Sequence, residues 1–356
     1  MIDIASPVRY FLHRLLGFHQ DGRNPIRAKM IEDGDALEKL SKVLPRVSLE
    51  PTNACNARCT FCAYRLMERE KGVMDFDTYQ LLLDDLLGMD ARELKFTPIV
   101  GDPLVDHNII KKIECAASKN HFSRIYMYTN LINLHLFDAD RFVNSGITDV
   151  TVSACIADAE MYHRVFGVDA YDRVIRNIKD LVRANEKAGS PVDVVISLRN
   201  EKPIEKALNS PAYKELVGMG AKIEFMWDGY DNWSGLIDLG DLPKGNTFRV
   251  IGSKKAPCAQ LYNGFIVGYD GTINVCWCRD LNLSKELTIG KYPEISLEEA
   301  WQGPELKRLR ENWQNGELPG ICQRCLQYTS VYDHDLTLET YKNLISLDEP
   351  QSDSGS

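Results

Sequence analysis

The sequence has no apolar run of the roughly 20 residues that a membrane-crossing helix needs, so a spanning role is excluded for its helices. It also lacks a surplus of positive charge, with 42 Lys and Arg against 51 Asp and Glu and a formal net charge of −9. Without a basic stripe to neutralise phosphates, no nucleic-acid partner is expected, and no membrane partner either. A cleavable export signal is missing as well. Met1 to Gln20 carries Tyr10-Phe11-Leu12 and Leu15-Leu16, but Asp3, Arg9 and Arg14 interrupt it and no small-residue cleavage site follows. That stretch reads as an amphipathic helix lying on the main domain.

Cysteine, by contrast, is plentiful: there are ten in 356 residues, a length that allows one large domain and a small one. Their arrangement argues against a disulfide framework. Cys55, Cys59 and Cys62 form one group, Cys258, Cys276, Cys278, Cys322 and Cys325 a second, and Cys115 and Cys155 stand alone. Two groups separated by a cysteine-poor region suggest two metal centres in a reduced cytoplasm.

The first group lies in Glu50-Pro51-Thr52-Asn53-Ala54-Cys55-Asn56-Ala57-Arg58-Cys59-Thr60-Phe61-Cys62, a loop leaving the apolar run Val47-Ser48-Leu49. Three thiolates spaced C-x3-C-x2-C can hold a cubic iron–sulfur cluster by three corners and leave the fourth iron open. A zinc knuckle or three buried thiols are the alternatives, although zinc sites usually come as two C-x2-C-like halves. The spacing, with Phe61 before the last cysteine, resembles the radical S-adenosylmethionine (radical SAM) superfamily. That resemblance implies that S-adenosylmethionine chelates the open iron and is split by one electron into a 5′-deoxyadenosyl radical. It also implies an external one-electron donor such as a flavodoxin or ferredoxin.

Beyond the leader, β-rich runs at Val47-Glu50, Glu93-Ile99, Arg124-Thr129, Asp149-Ser153, Val192-Leu198 and Lys222-Met226 alternate with helical patterns. The helices are expected near Asp75-Leu87, Asn108-Lys119, Asp138-Asn144, Ala170-Ala188 and Glu205-Val217. Such repetition demands a parallel sheet, either an open doubly wound one or a partial barrel. The resemblance selects an α/β partial (β/α)6 TIM-like barrel. The expected organisation is a helical leader over 1–45, the barrel over 46–235, a small hairpin-plus-helix auxiliary domain over 236–330, and a tail over 331–356 with a disordered end.

In parallel αβ architectures, ligands gather at the C-terminal ends of the strands. There the second strand offers Gly101-Asp102-Pro103, which resembles the superfamily's Gly-Glu-Pro stretch, whose backbone pairs with the cofactor's amino group; Asp102 stands where Glu is usual. Thr129-Asn130, Ser153 and the segment Tyr162 to Gly167 resemble further cofactor elements, and Arg164 and Arg199 are candidates for a bidentate carboxylate contact. Trp227-Asp228-Gly229-Tyr230-Asp231-Asn232-Trp233, at the exit of the sixth strand, is expected to meet substrate through Asp228, Tyr230, Asp231 and Asn232. Arg65 and Arg69 line the entrance or face water. Cys155, at a strand end, and Cys278 are candidate hydrogen-atom donors; a small buried apolar role is the alternative for Cys155, and a cluster ligand for Cys278.

In the second group, Asp270-Gly271 joins the β-like runs Phe265-Tyr269 and Thr272-Trp277 into a hairpin. A capping box, Ser296-Leu297-Glu298-Glu299, then opens a helix expected to reach Trp313, and the knuckle Cys322-Gln323-Arg324-Cys325 follows. Cys258, Cys276, Cys322 and Cys325 suit zinc as well as a cluster. Beside the three-cysteine loop, they resemble the twitch domain, a shortened SPASM domain, which implies one auxiliary [4Fe-4S] cluster and so two in the chain.

The resemblance to twitch-bearing enzymes points to dehydrogenation or epimerisation of a small polyhydroxylated molecule, such as a sugar or an aminocyclitol. A peptide maturase is the alternative; the short leader Met1 to Arg46 counts against the leader-binding domain of roughly 80 residues that such enzymes often carry, without excluding a separate leader-binding partner. A non-catalytic scaffold with structural metals is the third reading.

Overall fold

The computed structural model describes residues 24–226, 229–277 and 279–348. The expected Met1–Gln20 helix, Asp228, Cys278 and the end of the tail lie outside these. One sheet of nine strands runs through the described residues: β1 Arg46–Leu49, β2 Glu93–Lys95, β3 Arg124–Thr129, β4 Asp149–Ala154, β5 Asp193–Leu198, β6 Lys222–Phe225, β7 Gly264–Val267, β8 Thr272–Asn274 and β9 Thr288–Lys291. Their order is β6-β5-β4-β3-β2-β1-β7-β8-β9. The first six are parallel, as helical crossovers require, and the sheet does not close, which gives the α/β partial barrel.

The hairpin of the second cysteine group extends this same sheet. β7 pairs parallel with β1, from Arg46 opposite Gly264 to Leu49 opposite Val267, and β8 and β9 follow antiparallel. The strand that delivers the first cysteine loop therefore touches the hairpin that delivers the second group.

Alternation along the strands separates two faces. Val47, Leu49, Leu94, Ile125, Met127, Val150, Val152, Ile196 and Leu198 are buried on the face that packs with the helices, among Leu82, Leu83, Ile113, Ile178 and Leu181. The other face carries Lys95, Tyr128, Thr151, Ser153 and Ser197, polar and less buried. Register sets Tyr128 beside Thr151 and Ser153 beside Ser197, so these groups form one continuous inner surface.

Several helices differ from expectation for a local reason. The Glu205–Val217 pattern breaks into Glu205–Leu208 and Pro211–Gly218, and the one after Ser296 into Leu297–Gln302 and Pro304–Gln314. Each new helix starts on a proline, whose missing N–H is harmless at the first turn but disfavours helix in the residue before it. Ala159–Phe166 is an additional helix, and in the region read as a tail Asp335–Asp348 is helical. The latter packs on Pro25–Glu32 and Ala36–Ser41, with Tyr341 Oη donating to Asp33 Oδ2 at 2.8 Å.

Candidate functional site

The first cysteine loop is fixed through its backbone. Thr52 Oγ1 donates to Gly72 O, and Asn53 both donates to Glu70 O and accepts from Gly72 N, which laces the approach to residues 70–72. Cys55 N donates to Tyr64 Oη at 3.0 Å, and Arg58 N and Thr60 N donate to Phe166 O and Val165 O at 2.9 and 3.0 Å. The helix Ala159–Phe166 thus ends on the loop. Its following residue, Gly167, has φ +68, and a Cβ there would lie 2.6 Å from Arg58 O, so only glycine permits the approach. Phe61 packs edge-on against Phe166 and tilted on Tyr230.

The three thiols lie close enough to raise one another. Burial pushes Cys55 up to about 12, with Asp102 and Cys62 adding to it, and lifts Cys59 and Cys62 as well, Cys59 with help from both partners. Buried thiols of this kind stay protonated until a cation compensates them, which is the chemistry of a metal-cluster site. Among the described residues no group of three or more His, Cys, Asp or Glu is set round a single metal ion. Asn56 Nδ2 and Tyr230 Oη are buried beside the loop without hydrogen-bond partners, polar capacity that a bound group can engage. The donor set therefore fits a cluster with a polar ligand beside it.

Asp102 ties the strand ends together. Its N–H donates to Ala54 O at 2.9 Å, next to Cys55. Its buried carboxylate accepts from Leu104 N, from Thr129 Oγ1 and, at 2.6 Å, from Asn130 N. Burial still pushes that carboxyl up to about 6, with these hydrogen bonds opposing it. Asn130 Nδ2 donates to Asn56 Oδ1 and stands 3.8 Å from Cys55 Sγ. Gly101 sits with φ +121 against the backbone of Asn53 and Ala54, leaving no room for a Cβ, and Pro103 starts the turn Pro103–Val105. The residues Gly101, Asp102, Pro103, Thr129 and Asn130 are thus brought onto the cysteine loop.

The other predicted residues are distributed differently. Ser153 lies on the inner face of β4. Cys155 is fully buried in the main core, and burial pushes its thiol up to about 12. Arg164 is engaged by Glu201 at 2.9 and 3.0 Å and by Glu160 at 2.7 Å on an exposed flank. Arg199 is half-buried beyond β5 with Met226 Sδ at 3.1 Å, and burial lowers its pKa. Neither Arg65 nor Arg69 is a free entrance charge. Arg65 pairs with Asp241, and Arg69 clamps the fully buried Glu50 through both guanidinium nitrogens at 2.7 and 2.8 Å while donating to Leu281 O.

The second group gathers from separate segments. Cys258 lies on a bridge to Ser330, Cys276 N donates to Asn274 Oδ1 past the end of β8, and Lys254 Nζ donates to Cys322 O and Gln323 O. Gln327 N donates to Cys325 Sγ at 3.2 Å. Burial pushes Cys258 up to about 12 with Cys276 and Cys325 contributing, and Cys322 higher still with all three others contributing.

The loop expected to meet substrate also bridges the two groups. Tyr230 packs on Phe61, Asp231 forms an ion pair with Arg279, Asn232 Nδ2 donates to Arg324 O at 3.1 Å, and Trp233 Nε1 donates to Phe61 O at 3.0 Å. Sequence reasoning missed the inner-face residues Lys95, Tyr128, Thr151 and Ser197. Their polar, period-two placement inside apolar strands was the available signal.

Two family profiles match this geometry. Residues 49–209 match the radical SAM superfamily and residues 258–326 the iron–sulfur cluster-binding domain SPASM. Among curated proteins, the GTP 3′,8-cyclase of Pasteurella multocida (strain Pm70) is 25% identical over 134 residues, 37% of this chain and 39% of that one. The chain thus spans less than half the length of that relative. Among solved structures, BtrN in complex with AdoMet and 2-DOIA superposes with a TM-score of 0.54 at 18% identity, covering 80% of this chain and 93% of that one. SuiB of Streptococcus suis bound to the precursor peptide SuiA superposes at 0.56 and 14%, covering 85% and 77%. These likenesses establish the fold.

The class is therefore that of cluster-binding αβ partial barrels with an appended iron–sulfur region. Within it, the chain is a radical SAM protein carrying a SPASM domain, and S-adenosylmethionine and [4Fe-4S] clusters are its cofactors. Among the described residues no helix is long and apolar enough to cross a membrane.

Proposed function

We propose that this protein removes a hydrogen atom from a carbon of a small polyhydroxylated substrate, sugar- or aminocyclitol-like, and that the outcome is dehydrogenation or epimerisation. The supporting observation is the inner sheet face, where Lys95, Tyr128, Thr151, Ser153 and Ser197 offer hydroxyls and an amine on strands β2 to β5, next to the strand that delivers the first cysteine loop. Such a lining suits a compact ligand rich in hydroxyl or amino groups.

Cys55, Cys59 and Cys62 would hold one cluster, and Cys258, Cys276, Cys322 and Cys325 a second. The backbone of Gly101 to Pro103 would receive the amino end of S-adenosylmethionine, with Thr129, Asn130 and Ser153 beside it. Arg199 is the better candidate for the carboxylate, because Arg164 already serves Glu160 and Glu201. When bound and reduced, the cofactor supplies a carbon-centred oxidant able to attack an unactivated C–H bond. The chain's own task is to align that bond and exclude water. Burial of Cys155 disfavours it as a hydrogen-atom donor and so favours dehydrogenation, in which the hydrogen atom leaves to the cofactor, a base takes the hydroxyl proton, and a cluster held by Cys258, Cys276, Cys322 and Cys325 would accept the remaining electron.

Anaerobic reconstitution tests this reading. About eight irons per chain and release of 5′-deoxyadenosine with an external one-electron donor are expected; zinc without cleavage would end it. In deuterated water, a ketone without exchange marks dehydrogenation, while deuterium at the substrate carbon marks epimerisation. A peptide substrate is the second reading, drawn from the fold shared with SuiB, and turnover of a peptide in place of polyols would establish it.

A further inference from the structure

The loop after the sixth strand, from Tyr230 to Ser234, also ties the two thiol groups together. From one short loop, Tyr230 and Trp233 hold Phe61, which stands between Cys59 and Cys62 in sequence. Asn232 and Ser234 hold Arg324, which stands between Cys322 and Cys325: Asn232 Nδ2 donates to its carbonyl and Arg324 Nε donates to Ser234 O at 3.1 Å. The loop thus clasps both cysteine knuckles.

A charge sits under the clasp. The Arg279 guanidinium lies 4.5 Å above the Trp233 ring and pairs with buried Asp231. Trp233 and Asp231 both belong to the loop that bonds Phe61 O and Arg324 O, and Arg279 itself follows Cys276 by three residues, so the guanidinium is held beside both cysteine knuckles and most directly beside the second.

We propose that Arg279 and Asp231 are positioning residues that set the reduction potentials of the two clusters, most strongly the auxiliary one, with the 230–234 loop holding this pair between them. The proposal rests on the cluster assignment made above. A cation in a low-dielectric site stabilises the reduced, more negative cluster and raises its potential, and a buried carboxylate does the reverse.

The test is a potentiometric titration followed by electron paramagnetic resonance, on the full-length protein reconstituted anaerobically. Arg279→Gln is expected to move the auxiliary cluster to a more negative potential and the first cluster less far the same way. Asp231→Asn is expected to move it the opposite way, and Arg279→Lys to stay near wild type. A merely structural role would move Arg279→Gln and Asp231→Asn in the same direction, or lower iron content without moving potentials, and either result overturns the proposal. Should Arg279→Gln fail to load iron, the other two variants decide: a shift in Arg279→Lys as large as in Asp231→Asn, or none in Asp231→Asn, overturns it. Wild-type protein with no second cluster would instead defeat the functional reading itself, which keeps the two failures distinct.

Discussion

The two cysteine groups solve the same problem in opposite ways. Cys55, Cys59 and Cys62 come from one loop, whose backbone N–H groups at Cys55, Arg58 and Thr60 donate to Tyr64 Oη, Phe166 O and Val165 O. Cys258, Cys276 and the knuckle Cys322–Cys325 come from three segments and meet because β7 docks on β1 and the knuckle is held by Asn232, Ser234 and Lys254. A local group tolerates rearrangement elsewhere, whereas a dispersed one depends on the whole sheet. The buried Glu50–Arg69 pair joins the two, since Tyr269 N also donates to Glu50 Oε2.

The largest effects should separate the groups outright. Cys55→Ala is expected to abolish 5′-deoxyadenosine release, while Cys322→Ala should retain cleavage and lose product formation, both read by chromatography. Normal turnover in Cys322→Ala would remove the electron-accepting role from the second group. Next, Arg69→Ala strands a carboxylate that is fully buried and should cost about 3–5 kcal/mol in chemical denaturation. A cost under about 1 kcal/mol would show that the two regions are not coupled through this pair.

A smaller effect belongs to the dispersed region alone. His334 Nδ1 accepts from Asn263 Nδ2 at 3.1 Å, because Asn263 Oδ1 is already taken by Thr337 Oγ1. Burial, with Arg46 nearby, lowers His334 from 6.5 to about 4. The folded state therefore binds this proton less readily than the unfolded chain. Its stability contribution is complete above pH ~6.5, is lost as pH falls towards ~4, and is about 3 kcal/mol. His334→Gln should flatten that part of a pH–stability curve, and an unchanged slope would refute the assignment. Smallest of all, Arg164→Ala should change stability by under about 1 kcal/mol and leave S-adenosylmethionine affinity intact, whereas Arg199→Ala should weaken it roughly tenfold. Calorimetric titration giving the reverse order would return the carboxylate contact to Arg164.

Much of this was legible in local patterns. The strands β1 to β6, the cysteine spacings, the Asp270-Gly271 hairpin and the Ser296 capping box all lie where the residues point, since each is governed by neighbours a few positions apart. Gly101-Asp102-Pro103 and Thr129-Asn130 were also recognisable. That Asp102 would bond Thr129 and Asn130 was not, because it requires two strand ends side by side. Polar residues in the loop 230–234 read as substrate contacts, and nothing in the sequence signalled that Arg279 and Arg324 would also fold against them.

By itself, the sequence determined the class of chemistry and the alternation that builds the barrel, because thiol spacing and hydrophobic period are properties of adjacent residues. Only the tertiary structure decided which charges are taken and which remain for a ligand: Arg69 by Glu50, Arg164 by Glu201, Asp231 by Arg279. Those pairings join positions far apart in the chain, and a buried charge is stable only beside its partner.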